Sequence, residues 1–271
     1  ASLLTPFVVL FTLGILICIS VLAGSYPALV LSGFQPIKVL KGAFKNSNSG
    51  LWLRKSLIVF QFVISVFLIV GTFIIQSQLH YIQSKKLGYD RDHVVVLPMD
   101  SKMLENLPAI KTSFTANSNV RSVTRAVNPP TNIVGGYNMS KPGMPDNTEI
   151  MVTANPVDED FVKTMGLQII AGTVMTRQDI IDVSYEEQDK KTYHYILNES
   201  AAKELGWKPQ EAVGQKMFLG HHRPGYVRAV IKDFHFASLH NAIKPLVLFP
   251  EVRGRIMMVK ISGKNIPATI A

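Results

Sequence analysis

Residues 57–75, LIVFQFVISVFLIVGTFII, carry no charged side chain, and Gln61, Ser65 and Thr72 are their only polar ones. A helix rises ~1.5 Å per residue, so this stretch spans about 28 Å as a helix, close to the hydrocarbon thickness of a bilayer. Arg54 and Lys55 stand at one end, and Gln76, Ser77 and Gln78 at the other. The buried helix of a water-soluble protein is normally shorter and keeps a polar stripe. The stretch therefore predicts a transmembrane helix, with the preceding chain on one side of a membrane and the following chain on the other.

The charge distribution supports that division. No Asp or Glu precedes Ser56, whereas Lys38, Lys41, Lys45, Arg54 and Lys55 do, so all 19 acidic residues lie in the remainder. Residues 7–23, FVVLFTLGILICISVLA, form a second uncharged apolar segment, expected to cross the bilayer and to stop around 24–27, GSYP. Every charge between the two segments is positive, which places the linker in the cytoplasm. Gly33, Pro36 and Gly42 break that linker into turns, and 46–50, NSNSG, reads as a flexible link. The net charge of +9 is not a nucleic-acid footprint, because much of it flanks apolar spans rather than sharing a face with aromatics. The single cysteine, Cys18, rules out a disulfide within the chain. With no basic leader and no initial Met, the sequence is expected to be a fragment of a longer protein.

Beyond the second span, Ile75, Leu79 and Ile82 recur at i, i+4 and i+7 among polar residues, predicting that the helix projects as a stalk to Leu87 before Gly88 ends it. Strands are expected at 93–98, 120–127, 148–156, 167–171, 193–197, 227–231, 246–249 and 256–261, with helices at 108–116, 158–165 and 199–205. Asn198 is placed to cap the last of these helices and Gly206 to close it. Residues 128–147 read as the least regular loop, and 177–191 as a charged surface excursion. Strands mixed with short helices imply an α+β domain. The fold class is thus a membrane-protein fragment of two transmembrane α-helices and an extracytoplasmic α+β domain. Its parts are a membrane helix (1–31), a basic cytoplasmic linker (32–55), a membrane helix with its stalk (56–87) and the outer domain (88–271), whose last element is cut short.

The usual catalytic signatures are missing from the sequence. It has no Gly-Lys-Ser/Thr phosphate loop, no nucleophile elbow and no H-E-x-x-H pair, so no catalytic, cofactor or metal residue is assigned and the chain is not expected to be an enzyme. His221, His222, His235 and His240 lack carboxylate or Cys partners at ligand spacing and read as solvated loop residues. Asp233 and His235 straddle a strand end, where a turn-forming role is expected of Asp233.

Several motifs then resemble a family. Ala23-Gly24-Ser25-Tyr26-Pro27-Ala28, followed by Phe34-Gln35-Pro36-Ile37 and Leu40-Lys41-Gly42, is similar to the end of an FtsX-like permease repeat. Leu53-Arg54-Lys55-Ser56-Leu57 with Phe60-Gln61-Phe62 resembles the start of the next repeat. The outer domain resembles the MacB-type periplasmic core domain at three places. These are Asp160-Phe161 with Met165-Gly166-Leu167 and Ala171-Gly172; Ile196-Leu197-Asn198-Glu199 with Ala201-Ala202 and Leu205-Gly206; and Val230-Ile231-Lys232-Asp233-Phe234-His235 leading to Leu239-His240 and Ile243-Lys244-Pro245. Two stretches depart from the pattern: 177–191 is longer and more charged, and 220–225, GHHRPG, is an unusual hairpin tip.

The resemblance implies the middle of an ABC transporter permease subunit in a bacterial inner membrane, with residues 88–271 in the periplasm or outside the cell. A separate ATPase subunit would bind the ATP, and mechanotransmission would move the outer domain to export or extract a peptide, drug or lipoprotein. A second permease copy, the bilayer and a periplasmic or outer-membrane protein are the other implied partners; nucleic acid is not. Phe34, Ile37 and Leu40 become candidates to face the ATPase, and Ile75, Leu79 and Ile82 candidates for the stalk lever. A membrane-anchored sensor or binding protein, and an activator of a cell-wall hydrolase, are the alternative functions.

Overall fold

The helix formers come first in the chain, as its apolar runs require. In the computed structural model, which describes residues 6–32, 48–85, 87–145, 148–220, 222–239, 241–263 and 266–270, these runs become α1 (Pro6–Ser32) and α2 (Asn48–Ser84). The chain separates into two compact units, Ala1–Gln83 and Ser84–Ala271. Among the described residues one helix is long and apolar enough to cross a membrane, over Arg54–Ile82 of α2, and none of that stretch is buried. The apolar stretch of α1, Val9–Ser25, is shorter. At ~1.5 Å per residue it reaches about 25 Å, so of the two expected spans only α2 meets the length unaided.

The helix limits differ from expectation at three points. α1 runs past Pro27 to Ser32, because a proline removes one backbone hydrogen bond without forcing an end in an apolar helix. α2 begins inside the stretch expected to be a flexible link, since Asn and Ser suit a first helical turn as well as a loop. It stops at Ser84, short of Leu87, and Gly88 adopts a left-handed φ of +91°. Within the apolar span, Ser65 and Thr72 donate their hydroxyls to the carbonyls of Gln61 and Leu68 (2.9 and 2.8 Å), so neither polar side chain needs an outside partner.

The second unit begins with β1 (Val94–Pro98), α3 (Ser101–Glu105), α4 (Leu107–Thr115) and β2 (Val120–Ala126). It continues through β3 (Gly136–Ser140), β4 (Ile150–Val157), α5 (Phe161–Thr164), β5 (Ile169–Gly172) and α6 (Arg177–Asp182). β6 (Tyr193–Asn198), α7 (Glu199–Glu204), α8 (Pro209–Ala212), β7 (Lys216–Leu219) and β8 (Pro224–Ile231) follow, and β9 (Leu246–Pro250), β10 (Ile256–Ile261) and α9 (Ile266–Ile270) complete it. The strand order is β1-β10-β2-β4-β3-β7-β8-β6-β9, with β5 on β8, and a parallel pairing of β4 with β9 closes the last six of that path into a ring.

Period-two alternation divides the core between the two faces of that ring. Tyr193, Tyr195 and Leu197 of β6, with Val247 and Phe249 of β9 and Val152 and Ala154 of β4, fill the inside. Ile196, Leu246 and Leu248 face the other way, onto Phe161, Val162 and Met165 of α5 and its C-terminus. A third cluster lies where Ile110 and Phe114 of α4 cover Val123, Met257 and Val259.

Two expectations need correction. The loop at 128–147 contains β3, whose Met139 is fully buried between β4 and β7; a five-residue strand with Gly at its start gives too weak an alternation to read. The surface excursion at 177–191 opens with α6, and Asp179 is only 2% exposed, because Thr176 and Asp179 form a reciprocal capping box that folds the carboxylate inward.

The buried carboxylate of Asp158 fixes α4 to the sheet. Its partners are the Lys111 ammonium (2.7 Å), the Arg125 backbone N–H (2.8 Å) and the Thr124 hydroxyl. Burial of Lys111 alone would lower its amine pKa, but the charges and hydrogen bonds of Asp158 and Asp160 hold it above the ordinary lysine value. The contribution to stability is therefore complete below about pH 10.4 and lost as pH rises through the raised value. Lys111→Met should cost about 3 kcal/mol at pH 7, because it leaves Asp158 charged, buried and short of its cation. Thermal unfolding of the full chain in mild detergent checks this, and an unchanged Tm would contradict it.

Candidate functional site

The three candidate lever residues fall on α2, which runs through them without a break: Ile75, Leu79 and Ile82 are 60%, 53% and 47% exposed. Phe34, Ile37 and Leu40 lie outside the described residues. Spacing could not reveal that residues 87–93, which belong to the second unit, are fastened there at four places.

The Leu87 carbonyl accepts from the His235 N–H (2.8 Å), and the Asp90 N–H donates to the Met165 carbonyl (2.8 Å). The His93 carbonyl accepts from the Ile261 N–H (2.9 Å), and the Asp90 carboxylate meets the Lys260 ammonium at 2.6 Å. Packing reinforces these bonds. Tyr89 meets the Phe234 ring edge-on, with centroids 5.9 Å apart. A side chain on Gly88 would place its Cβ 2.7 Å from the Cβ of Phe234, and the positive φ already favours glycine.

Three of these partners come from the motifs that carry the resemblance: Met165 from the first, Phe234 and His235 from the third. The second motif is tied to the third behind them. Asp233 accepts from the Ser200 N–H (3.1 Å) and hydroxyl (2.6 Å), and Glu199 accepts from the Asp233 N–H (3.0 Å). Asn198 is fully buried; its Oδ1 accepts from Ala201 N and Leu246 N, and its Nδ2 donates to the Lys244 carbonyl. Asn198 caps α7 as expected, and Asp233 anchors the turn around the first residues of that helix. Asn198, Asp233 and Glu199 all hold backbone groups, and Asp233 the Ser200 hydroxyl as well, which is a positioning role.

Among the described residues, one group has the spacing of a metal site: Asp179, Asp182 and His194 offer ligand atoms within 4.8 Å of one another. The Asp179 carboxylate is already occupied by Thr176, by Arg228 Nη1 (3.1 Å) and by His194 Nδ1 (2.9 Å). Burial pushes its pKa up, but the bonds from His194 and Thr176 and the charge of Arg228 outweigh this and hold it below the usual carboxylate value. A guanidinium at that distance supplies the charge that a cation would. His221 and His240 lie outside the described residues.

No family model and no curated protein matches the chain. Solved structures do match. The periplasmic region of MacB from Actinobacillus actinomycetemcomitans covers 67% of this chain and 80% of its own at 15% identity and a TM-score of 0.44. The extracellular domain of the noncanonical ABC-type transporter YknZ from Gram-positive bacteria covers 65% and 86% at 14% identity and a TM-score of 0.42. A domain of a permease protein from Porphyromonas gingivalis covers 59% and 70% at 16% identity and a TM-score of 0.39.

The fastening at 87–93 is open to test. The Lys260 hydrogen bond, opposed by slight burial, holds the Asp90 carboxyl below its usual range, so its contribution exists above about pH 4 and fades as pH falls through the lowered value. Asp90→Asn should cost about 1 kcal/mol at pH 7, since the Asp90 side chain is half in water, and the difference from the native chain should disappear in acid. Gly88→Ala should cost about 2 kcal/mol at any pH, because its cause is steric. Tm measured against pH for both variants separates the two; a pH-independent effect of Asp90→Asn would contradict the ion pair.

Proposed function

We propose that the chain is part of an ABC transporter permease subunit in which α2 relays movement, driven by a separate ATPase, to the outer unit. The observation that carries this reading is mechanical. One helix runs unbroken from Asn48 to Ser84 through the apolar span, and the chain that continues it is fastened within a few residues to three separate parts of the outer unit's core. A helix transmits axial and torsional displacement because its backbone bonds lie within it, and a fastened exit passes that displacement on. A flexible linker at 87–93 would dissipate it. The family resemblance of the motifs supports the same reading.

In this proposal the basic linker 32–55, with Phe34, Ile37 and Leu40, faces the cytoplasm and the ATPase. α1 closes one permease repeat and also crosses the membrane, and residues 88–271 lie outside a bacterial plasma membrane. The chain itself is non-catalytic, ATP is bound by its partner, and the subunit works beside a second permease copy. Export or extraction of a peptide, drug or lipoprotein is the corresponding activity.

A proline in the stalk tests the relay. Leu79→Pro breaks the backbone ladder on the outer side of the span, at a side chain that is half exposed. In the complete transporter, the variant should still co-purify with the ATPase but lose the ATP-dependent shift of a spin label placed at exposed Lys203 on α7. An ATP-dependent shift equal to that of the native transporter would sink the lever.

A further inference from the structure

The two stretches that depart from the family pattern, 177–191 and 220–225, meet in the folded protein. Gln188 of the first donates its side-chain amide to the His222 carbonyl of the second. Between them lies a pocket of about 300 Å³ lined by Gln188, Lys191, Tyr193, His222, Arg223, Glu251 and Arg253. Three cations from three separate segments thus surround one space. None of Lys191, Arg223 and Arg253 is in an ion pair among the described residues. Glu251 is the one carboxylate of the lining, and its Oε1 already accepts from the Val252 N–H (2.9 Å).

Arg223 is held in place rather than waving in solvent. The Arg223 carbonyl accepts from the Tyr195 hydroxyl (2.6 Å) and the Leu219 N–H (3.1 Å), which fixes the turn. Its guanidinium carbon lies 5.6–6.0 Å from the ring centroids of Phe249, Tyr137 and Tyr193. Three aromatic faces restrict a guanidinium while leaving donors free for an oxyanion. Its Nε is buried with no hydrogen-bond partner among the described residues. Arg253 follows a segment locked from behind, where Arg125 donates to the carbonyls of Glu251 and Val252.

Like charges gathered at one place repel, and a purely structural arrangement would pair them. We propose that this pocket binds a dianionic phosphate group, free or carried as a phosphate monoester, between Arg223, Arg253 and Lys191. Three cations against one carboxylate leave a surplus of two positive charges, matching a phosphate dianion, and arginine forks suit its oxygens. The proposal is independent of the permease reading, since it concerns only the local geometry of the outer unit.

The test uses the full chain in phosphatidylcholine nanodiscs and isothermal titration at constant ionic strength, with inorganic phosphate in one arm and dihexanoyl phosphatidic acid in the other. Dihexanoyl phosphatidylcholine gives the background. Saturable binding is expected in at least one arm with a Kd on the order of 1 mM or below. Arg253→Gln and Lys191→Gln should each weaken it about tenfold, while Lys203→Gln, on α7 and outside the pocket lining, should not. Arg253 is exposed, so its loss leaves the core intact, whereas Arg223→Gln also removes packing and is read only beside it. Phosphatidic acid binding tenfold more tightly than phosphate marks a lipid headgroup as the ligand; equal affinities mark the free or soluble phosphate. No saturable binding in either arm, or binding unchanged in both Arg253→Gln and Lys191→Gln, would overturn the proposal.

Discussion

The parallel pairing of β4 with β9 is the constraint on which the second unit depends. Thr153 to Val157 align with Leu246 to Pro250, segments far apart in the chain, and this ladder turns an open run of strands into a ring. Closure gives the two central strands a full set of backbone partners and the ring a face hidden from water on every side. The inward tyrosines of β6 and Phe249 of β9 fill that space. With the ring closed, its outer face is free to pack on α5, and the turn after α5 is what later holds residue 90. The pairing is costly to find, because parallel strands this far apart close a long loop before any bond rewards it.

Around the ring, polar groups do the positioning that apolar contact cannot. Asn198 joins the start of α7 to Lys244 and Leu246 through one buried amide, and Asp233 returns the end of β8 to the same helix. Each is stable inside because its hydrogen bonds are made; an unfilled acceptor at either place would cost about 1–3 kcal/mol. The outcome is a firm seat for residues 87–93, made from the first and third motif stretches together with β10. A Lys-Asp-Phe or an Asn-Glu means nothing in isolation, and their common purpose appears only in the fold, where the first meets residues 87–93 and the second holds the first from behind.

Much of the architecture was legible in the sequence because it rests on local periodicity. The apolar run of α2, the alternation in β6, the short apolar runs of β9 and β10, and the Asn198 cap depend on neighbours one to four residues away. Two kinds of feature were not legible. β3 is too short and too glycine-rich at its start to alternate visibly, and Asp179 sits in a stretch whose surface charge disguises one buried carboxylate. The phosphate pocket was half visible: both of its unusual segments stood out, but their junction through Gln188 and His222 did not.

The sequence by itself determined that the chain carries at least one membrane-length helix, that no acidic residue precedes that helix, and that an α+β domain follows. Hydrophobic length, charge order and short-range periodicity are properties of the chain alone. Tertiary structure decided the closed ring, the fastening of residues 87–93 and the gathering of Lys191, Arg223 and Arg253. Each of these depends on contacts between residues distant in sequence, where strand register and shape complementarity choose among many partners that composition makes equally acceptable.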